Sequence, residues 1–248
     1  MTLRDGPGGP SSGTVRVAMW SGPRNISTAM MRSWENRPDT EVVDEPFYAA
    51  YLHATGLDHP ARDEVIASQP TDPLDVVRQL GAEVGSPVHY AKHMTHHILR
   101  EWPLDWVGDF RNVLLIRDPA EVVASYVRSR EACEPEDIGL LQQVRLLDAL
   151  PEEPPVIDAR DFLRDPELHL RWLCDWLGLE FTDRMLSWPA GPRKSDGVWA
   201  PYWYGAVVRS TGFEPWRPRT VDLNEHDAAV ARACRPAYEA LRSRRLVL

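Results

Sequence analysis

The chain has 248 residues, 43% of them hydrophobic and 26% charged, with a formal net charge of −9. That is enough apolar material for one large core, and no shift in composition near the middle divides it. The acidic balance argues against nucleic acid or an anionic membrane as partner, whereas a small anionic ligand needs only a few local Arg and Lys side chains. Residues 1–13 are rich in Gly, Pro and Ser and read as a disordered tail, which leaves 14–248 as a single domain. No secretory signal and no membrane-length apolar run is evident, so the expected location is the cytoplasm. Cys133, Cys174 and Cys234 are scattered and odd in number, which suits free thiols better than disulfides or a cysteine metal site.

In chain order, Val15 to Ser33 reads as strand, tight loop and helix. Val15, Val17 and Met19 alternate with less apolar residues, Gly22 and Pro23 stop the strand, and Ser27 to Trp34 supplies helix formers. The loop Arg24-Asn25-Ile26-Ser27-Thr28 therefore opens a helix, where free backbone N–H groups and the helix dipole favour an anion. The Walker A pattern G-x-x-x-x-G-K-[ST] is absent, which counts against an ordinary nucleoside triphosphate.

A second strand over Thr40 to Asp44 ends at Glu45-Pro46, and a carboxylate just past a strand end is well placed for chemistry. The spacing predicts a crossover helix over 74–84 and a third strand over Val88 to Lys92. Beyond it come Lys92, His93, His96 and His97, an unusual density of titratable groups. His93 and His97 are spaced like ligands on one helical face, yet neither H-E-x-x-H nor a nearby carboxylate partner completes a metal motif, so no metal is expected.

Asn112 to Ile116, the most apolar strand, runs into Arg117-Asp118-Pro119, with Asp118 as N-cap and Ser125 two turns along the helix. Further helices are expected over 138–150, 167–177 and 225–245, with a last short strand over 155–158. The span 188–218 is rich in Pro, Gly and aromatic residues and too long for an inert connection, so it reads either as a lid or as a loop tied to the core by its aromatics.

The Arg24 to Thr28 loop, with its Arg24 and Ser27-Thr28 pair, resembles the 5′-phosphosulfate loop of sulfotransferases, and Arg117 to Ser125 resembles their 3′-phosphate element, R-D-P followed by a serine at matching spacing. R-N-I-S-T-A-M-M and D-E-P-F-Y are similar to motifs of a small bacterial branch, also found fused to aminotransferase-like domains in plants. The resemblance runs from about Val15 to Trp199. It implies an α/β fold of three layers, αβα, with a central mostly parallel sheet, related to the P-loop NTPases. It also implies 3′-phosphoadenosine 5′-phosphosulfate (PAPS) as donor, adenosine 3′,5′-bisphosphate as product, no metal, and a small-molecule acceptor bearing a hydroxyl or amine. On the same resemblance Arg24, Asn25, Ile26, Ser27, Thr28, Arg117 and Ser125 would hold the donor. Arg193, Lys194 and Gly197 resemble the family's late basic-glycine loop, one residue shorter here. Lys92 would sit near the donor's bridging oxygen, with the base open among Glu45, His93, His96 and His97. Three departures stand out: Ile26 where the family usually has glycine, and Ala159 and Arg160 where it has tyrosine and glutamate, so adenine contacts must come from elsewhere. The rival readings are a P-loop-type kinase using ATP and Mg²⁺, or a non-catalytic nucleotide-binding relic of the fold.

Overall fold

Among the described residues the sheet has five strands: β1 (Val15–Ser21), β2 (Thr40–Asp44), β3 (Val88–Met94), β4 (Arg111–Ile116) and β5 (Val156–Asp158). They pair in parallel in the order β2-β3-β1-β4-β5. The structure, a computed structural model, describes residues 13–128, 133–218 and 220–248, so residues 1–12 of the expected tail lie outside the described residues.

Helix α1 (Ser27–Glu35) follows β1, and α2 (Tyr48–Thr55), α3 (Arg62–Ser68) and α4 (Pro73–Gly81) lie between β2 and β3. Helices α5 (Pro119–Tyr126) and α6 (Leu140–Ala149) join β4 to β5. After β5 come α7 (Ala159–Phe162), α8 (Pro166–Leu177), α9 (Ala200–Trp203), α10 (Gly205–Val208) and α11 (Glu225–Arg242). Because successive side chains on a strand point to opposite faces, Val17 and Met19 of β1 pack with Met30, Met31 and Trp34 of α1 and Leu170 and Leu173 of α8. Ala18 and Trp20 pack on the other side with residues of α4, α5, α6 and α11. The sheet is thus covered on both faces, as a parallel sheet requires, and the expected three-layer α/β architecture is what forms.

Three local differences from the sequence reading have physical causes. The polar stretch after α2 contains α3, which Asp63 and Glu64 in its first turn favour and which fully buried Val65 anchors. The helix expected over 138–150 is broken by Gly139 at φ +77°, so that a 3-10 turn over Pro135–Ile138 precedes α6. Gly139 and Gly22 also let two backbones cross: a Cβ on Gly22 would lie 2.0 Å from the Ile138 carbonyl oxygen. Strand β3 runs two residues past Lys92, to Met94, with consequences for the histidines described below.

Strands β1 and β4 are neighbours, but α1 leads away toward β2 while α5 leads toward β5. Where connections diverge in this way, a crevice opens outside the carboxyl ends of the strands.

Candidate active site

A cavity of about 350 Å³ occupies that crevice. Its floor is the β1–α1 loop. Arg24 and Ile26 both adopt left-handed backbone, at φ +56° and +51°. This conformation is costly for a β-branched side chain and explains why glycine would be the simpler choice at Ile26. Ile26 is also the N-cap of α1, and no side chain caps that helix. By contrast α4, α5, α8 and α11 each begin at an Asp or Asn whose side chain accepts a backbone N–H. The first-turn N–H groups of α1 are left to whatever the cavity holds.

Two elements distant in sequence meet over this loop. Arg24 donates from Nε to Ser125 Oγ at 3.0 Å, and Arg117 donates from Nη1 to the Arg24 carbonyl oxygen at 2.8 Å. Arg117 is itself paired with Glu121 at 2.8 Å, one turn into α5. Burial, followed by the Arg117 and Arg128 guanidiniums, depresses the Arg24 pKa. Like charges gathered at one point of an acidic chain repel one another, and a bound anion relieves that repulsion. Asn25 donates to the Leu115 carbonyl oxygen at 2.7 Å, tying the loop to β4, while its Oδ1 is buried without a hydrogen-bond partner among the described residues.

The opposite end of the cavity is built differently. Asp44 and Lys92 are register partners on β2 and β3, and Glu45 turns out of β2 at φ +42°. Lys92 Nζ donates to Asp44 Oδ1 at 2.8 Å, to Glu45 Oε1 at 2.7 Å and to Tyr204 Oη at 2.5 Å. An ammonium has three protons, so its donor capacity is filled. Burial disfavours the charged lysine, but the two carboxylates more than offset this and its pKa is raised. Burial also raises the pKa of Glu45, and Asp44 adds to the effect while Lys92 opposes it.

The histidines separate by strand face. His93, one residue after Lys92 and still within β3, points to the other side of the sheet. There it stacks on Trp20 at 4.2 Å and is absent from the cavity wall. Burial pulls its pKa down to about 3. His96 and His97 do line the cavity. His97 stacks on Tyr48 at 4.4 Å, and its Nδ1 lies 3.9 Å from Glu45 Oε2. Burial, then His96 and other neighbours, holds His97 well below its ordinary pKa. His93 and His97 therefore occupy separate surroundings. Among the described residues no three His, Cys, Asp or Glu side chains gather as metal ligands.

Of the expected donor contacts, Arg24, Asn25, Ile26, Ser27, Thr28, Arg117 and Ser125 line the cavity together, whereas Arg193, Lys194 and Gly197 do not. Their loop docks on the far end of α1, where Asp196 pairs with Arg32 and Ser195 donates to Glu35, and on the end of β2, where Gly197 N–H donates to Asp44 Oδ2 at 3.1 Å. Nine helical residues put that end about 12 Å from the N-terminus of α1.

The late aromatic span divides in two. Trp199, Trp203, Tyr204 and Val207 pack with Tyr48, Tyr51 and Leu52 at the Glu45 end. Phe213 and Trp216 lie at the other end, where the Trp216 backbone N–H donates to the Leu163 carbonyl oxygen at 3.1 Å and Arg164 sits 4.8 Å from the Trp216 ring centroid. Leu163, Phe213 and Trp216 form an apolar wall of the cavity beside the arginine cluster. Ala159 is buried, and Arg160 turns to Asp161. The sequence marks these aromatics as a group but carries no local sign of which end each joins. Cys133, Cys174 and Cys234 are buried free thiols whose pKa values burial raises to about 11 or 12.

Comparison with known proteins agrees with this fold. The chain is 40% and 37% identical to branched-chain-amino-acid aminotransferase-like proteins 1 and 2 of Arabidopsis thaliana, over 92% and 91% of its own length. It spans only 41% of either relative. Among solved structures, the sulfotransferase domain of the olefin synthase from Synechococcus PCC 7002 superposes with a TM-score of 0.54 at 17% identity, covering 90% of this chain and 96% of that one. A sulfotransferase from Alicyclobacillus acidocaldarius gives 0.52 at 16% identity, covering 92% and 96%. At such identities the likeness is one of fold. The sulfotransferase domain family model matches residues 15–245, nearly the whole chain, and the protein therefore belongs to the sulfotransferase family.

Proposed function

We propose that the protein transfers a sulfuryl group from 3′-phosphoadenosine 5′-phosphosulfate to the hydroxyl or amine of a small-molecule acceptor. The observation that carries this reading is the meeting of Arg24, Arg117 and Ser125 in one cavity whose opposite end holds a buried carboxylate, Glu45. Two cationic elements from different strand ends suit a ligand with two separate anionic groups. The uncapped α1 terminus with Arg24 receives the 5′ group, and Arg117 with Ser125 the 3′-phosphate. The Leu163, Phe213 and Trp216 wall is an apolar surface on which the adenine can lie, standing in for the contacts that Ala159 and Arg160 do not supply.

In the reaction the acceptor oxygen or nitrogen forms a bond to sulfur as the bond from sulfur to the phosphate oxygen breaks, and the acceptor's proton passes to Glu45. Arg24 and the α1 amides stabilise the charge that grows on the leaving phosphate. Glu45 suits the base role better than His93 or His97. Burial raises its pKa, which makes it a stronger base, whereas burial lowers theirs, which makes them weaker ones. Thermal-shift and calorimetric titration with adenosine 3′,5′-bisphosphate, ATP with Mg²⁺ and GTP with Mg²⁺ tests the nucleotide. Binding of the bisphosphate alone supports the proposal, and preference for ATP with Mg²⁺ overturns it in favour of a kinase. Transfer of labelled sulfuryl from the donor to a panel of phenols, alcohols and amines then separates an enzyme from a relic.

A further inference from the structure

We infer that Tyr204, which belongs to none of the motifs, is a positioning residue. From the late aromatic span its hydroxyl closes the network of Asp44, Lys92 and Glu45, and so holds the Glu45 carboxylate in place to accept the acceptor's proton. The hydroxyl accepts from Lys92 Nζ and from Trp199 Nε1 at 3.0 Å. Its one proton is within reach of both carboxylates, the Asp44 oxygens at 2.8 and 2.7 Å and Glu45 Oε1 at 3.2 Å. All of its hydrogen-bonding capacity is used, and every member of the network is buried. Because the three Lys92 protons go to Asp44, Glu45 and Tyr204, Lys92 acts through this network. Arg24 and the α1 amides meet the donor's phosphates.

The groups facing Glu45 are Asp44 from β2, Lys92 from β3, Tyr204 from between α9 and α10, and His97 from the turn after β3, with His96, His59 and His93 around His97. Within this set Tyr204 and Lys92 favour the ionised carboxylate, while burial and Asp44 oppose it. Replacing the phenol by phenylalanine leaves Trp199 Nε1 and one Lys92 proton without a partner and removes a donor from the carboxylates.

The inference rests on Glu45 as the proton acceptor, and its test needs neither donor nor acceptor. Glu45 is followed by carbon NMR in protein labelled at the glutamate carboxyl carbons, with Glu45→Gln giving the assignment. Tyr204→Phe is expected to raise the Glu45 titration midpoint by roughly half a pH unit or more. Replacing Tyr204 with 3,5-difluorotyrosine keeps the ring and strengthens its donor, and is expected to lower the midpoint. The buried phenol stays protonated there, because burial and the adjacent carboxylates hold it well above its ordinary pKa. Opposite shifts cannot come from general loosening of the fold. A midpoint that stays put, or that moves the same way in both variants, overturns the Tyr204 assignment. Wild-type protein that ignores the bisphosphate overturns the sulfuryl-transfer reading instead.

Discussion

The two ends of the cavity handle charge in opposite ways. At the Arg24 end, like charges are gathered, half buried and only partly compensated, with Glu121 the carboxylate that pairs with Arg117. At the Glu45 end, the charges are buried and compensated within the protein, since one lysine, Lys92, is shared between two carboxylates and a phenol. In the proposed function the first arrangement is completed by an anion. The second needs nothing added, and is built to hold one carboxylate in a fixed place with a raised proton affinity. Removing one partner of a buried charge cluster leaves the others uncompensated, so the Glu45 end also contributes to folding, while the proposed role of the arginine end is affinity.

Substitutions at each end should separate these roles. Glu45→Gln is expected to lower kcat by roughly 10²- to 10⁴-fold while leaving bisphosphate affinity unchanged. A variant that still turns over at the wild-type rate would remove Glu45 from the reaction. In the wild type, only ionised Glu45 can take a proton, so kcat should fall with decreasing pH through a midpoint above the ordinary glutamate value, in keeping with its raised pKa. An acid limb at or below that value would contradict the assignment.

Lys92→Met strands two buried carboxylates and is expected to cost about 3–5 kcal/mol of stability, read from the urea midpoint at pH 7. The loss should shrink at lower pH, where one carboxylate can take up a proton, and an equal loss at all pH values would argue against the pairing. The smallest effect belongs to Ser125→Ala. Removing the hydroxyl that accepts from Arg24 should weaken bisphosphate binding by about 1 kcal/mol, roughly fivefold, with no change in melting temperature.

The difference between the ends also governs what the sequence discloses. The arginine end was legible because each part is local: a strand that stops at Gly22, a polar loop with Arg24, Ser27 and Thr28, and Arg117 at the end of the most apolar strand. Their spacing along single elements is enough to place them at strand ends, and the parallel sheet brings those ends together. The Glu45 end was legible only in part. Glu45 and Lys92 follow from their strands, but of the four candidates for the base His93 lies on the opposite face, because β3 continues to Met94 and a strand's alternation sends it there. Tyr204 meets Asp44 across 160 residues of chain, a pairing with no local signature. The basic loop at Arg193 and Lys194 has the composition of a phosphate site, but Asp196 and Ser195 dock it on Arg32 and Glu35 instead.

The most direct test is whether one nucleotide bridges Arg24 and Arg117. Calorimetry should compare adenosine 3′,5′-bisphosphate with adenosine 5′-monophosphate on wild type, Arg24→Ala and Arg117→Ala. The account predicts that Arg117→Ala weakens the bisphosphate by roughly 10- to 100-fold and erases its advantage over the monophosphate, whereas Arg24→Ala weakens both alike. A bisphosphate advantage that survives Arg117→Ala intact would contradict it.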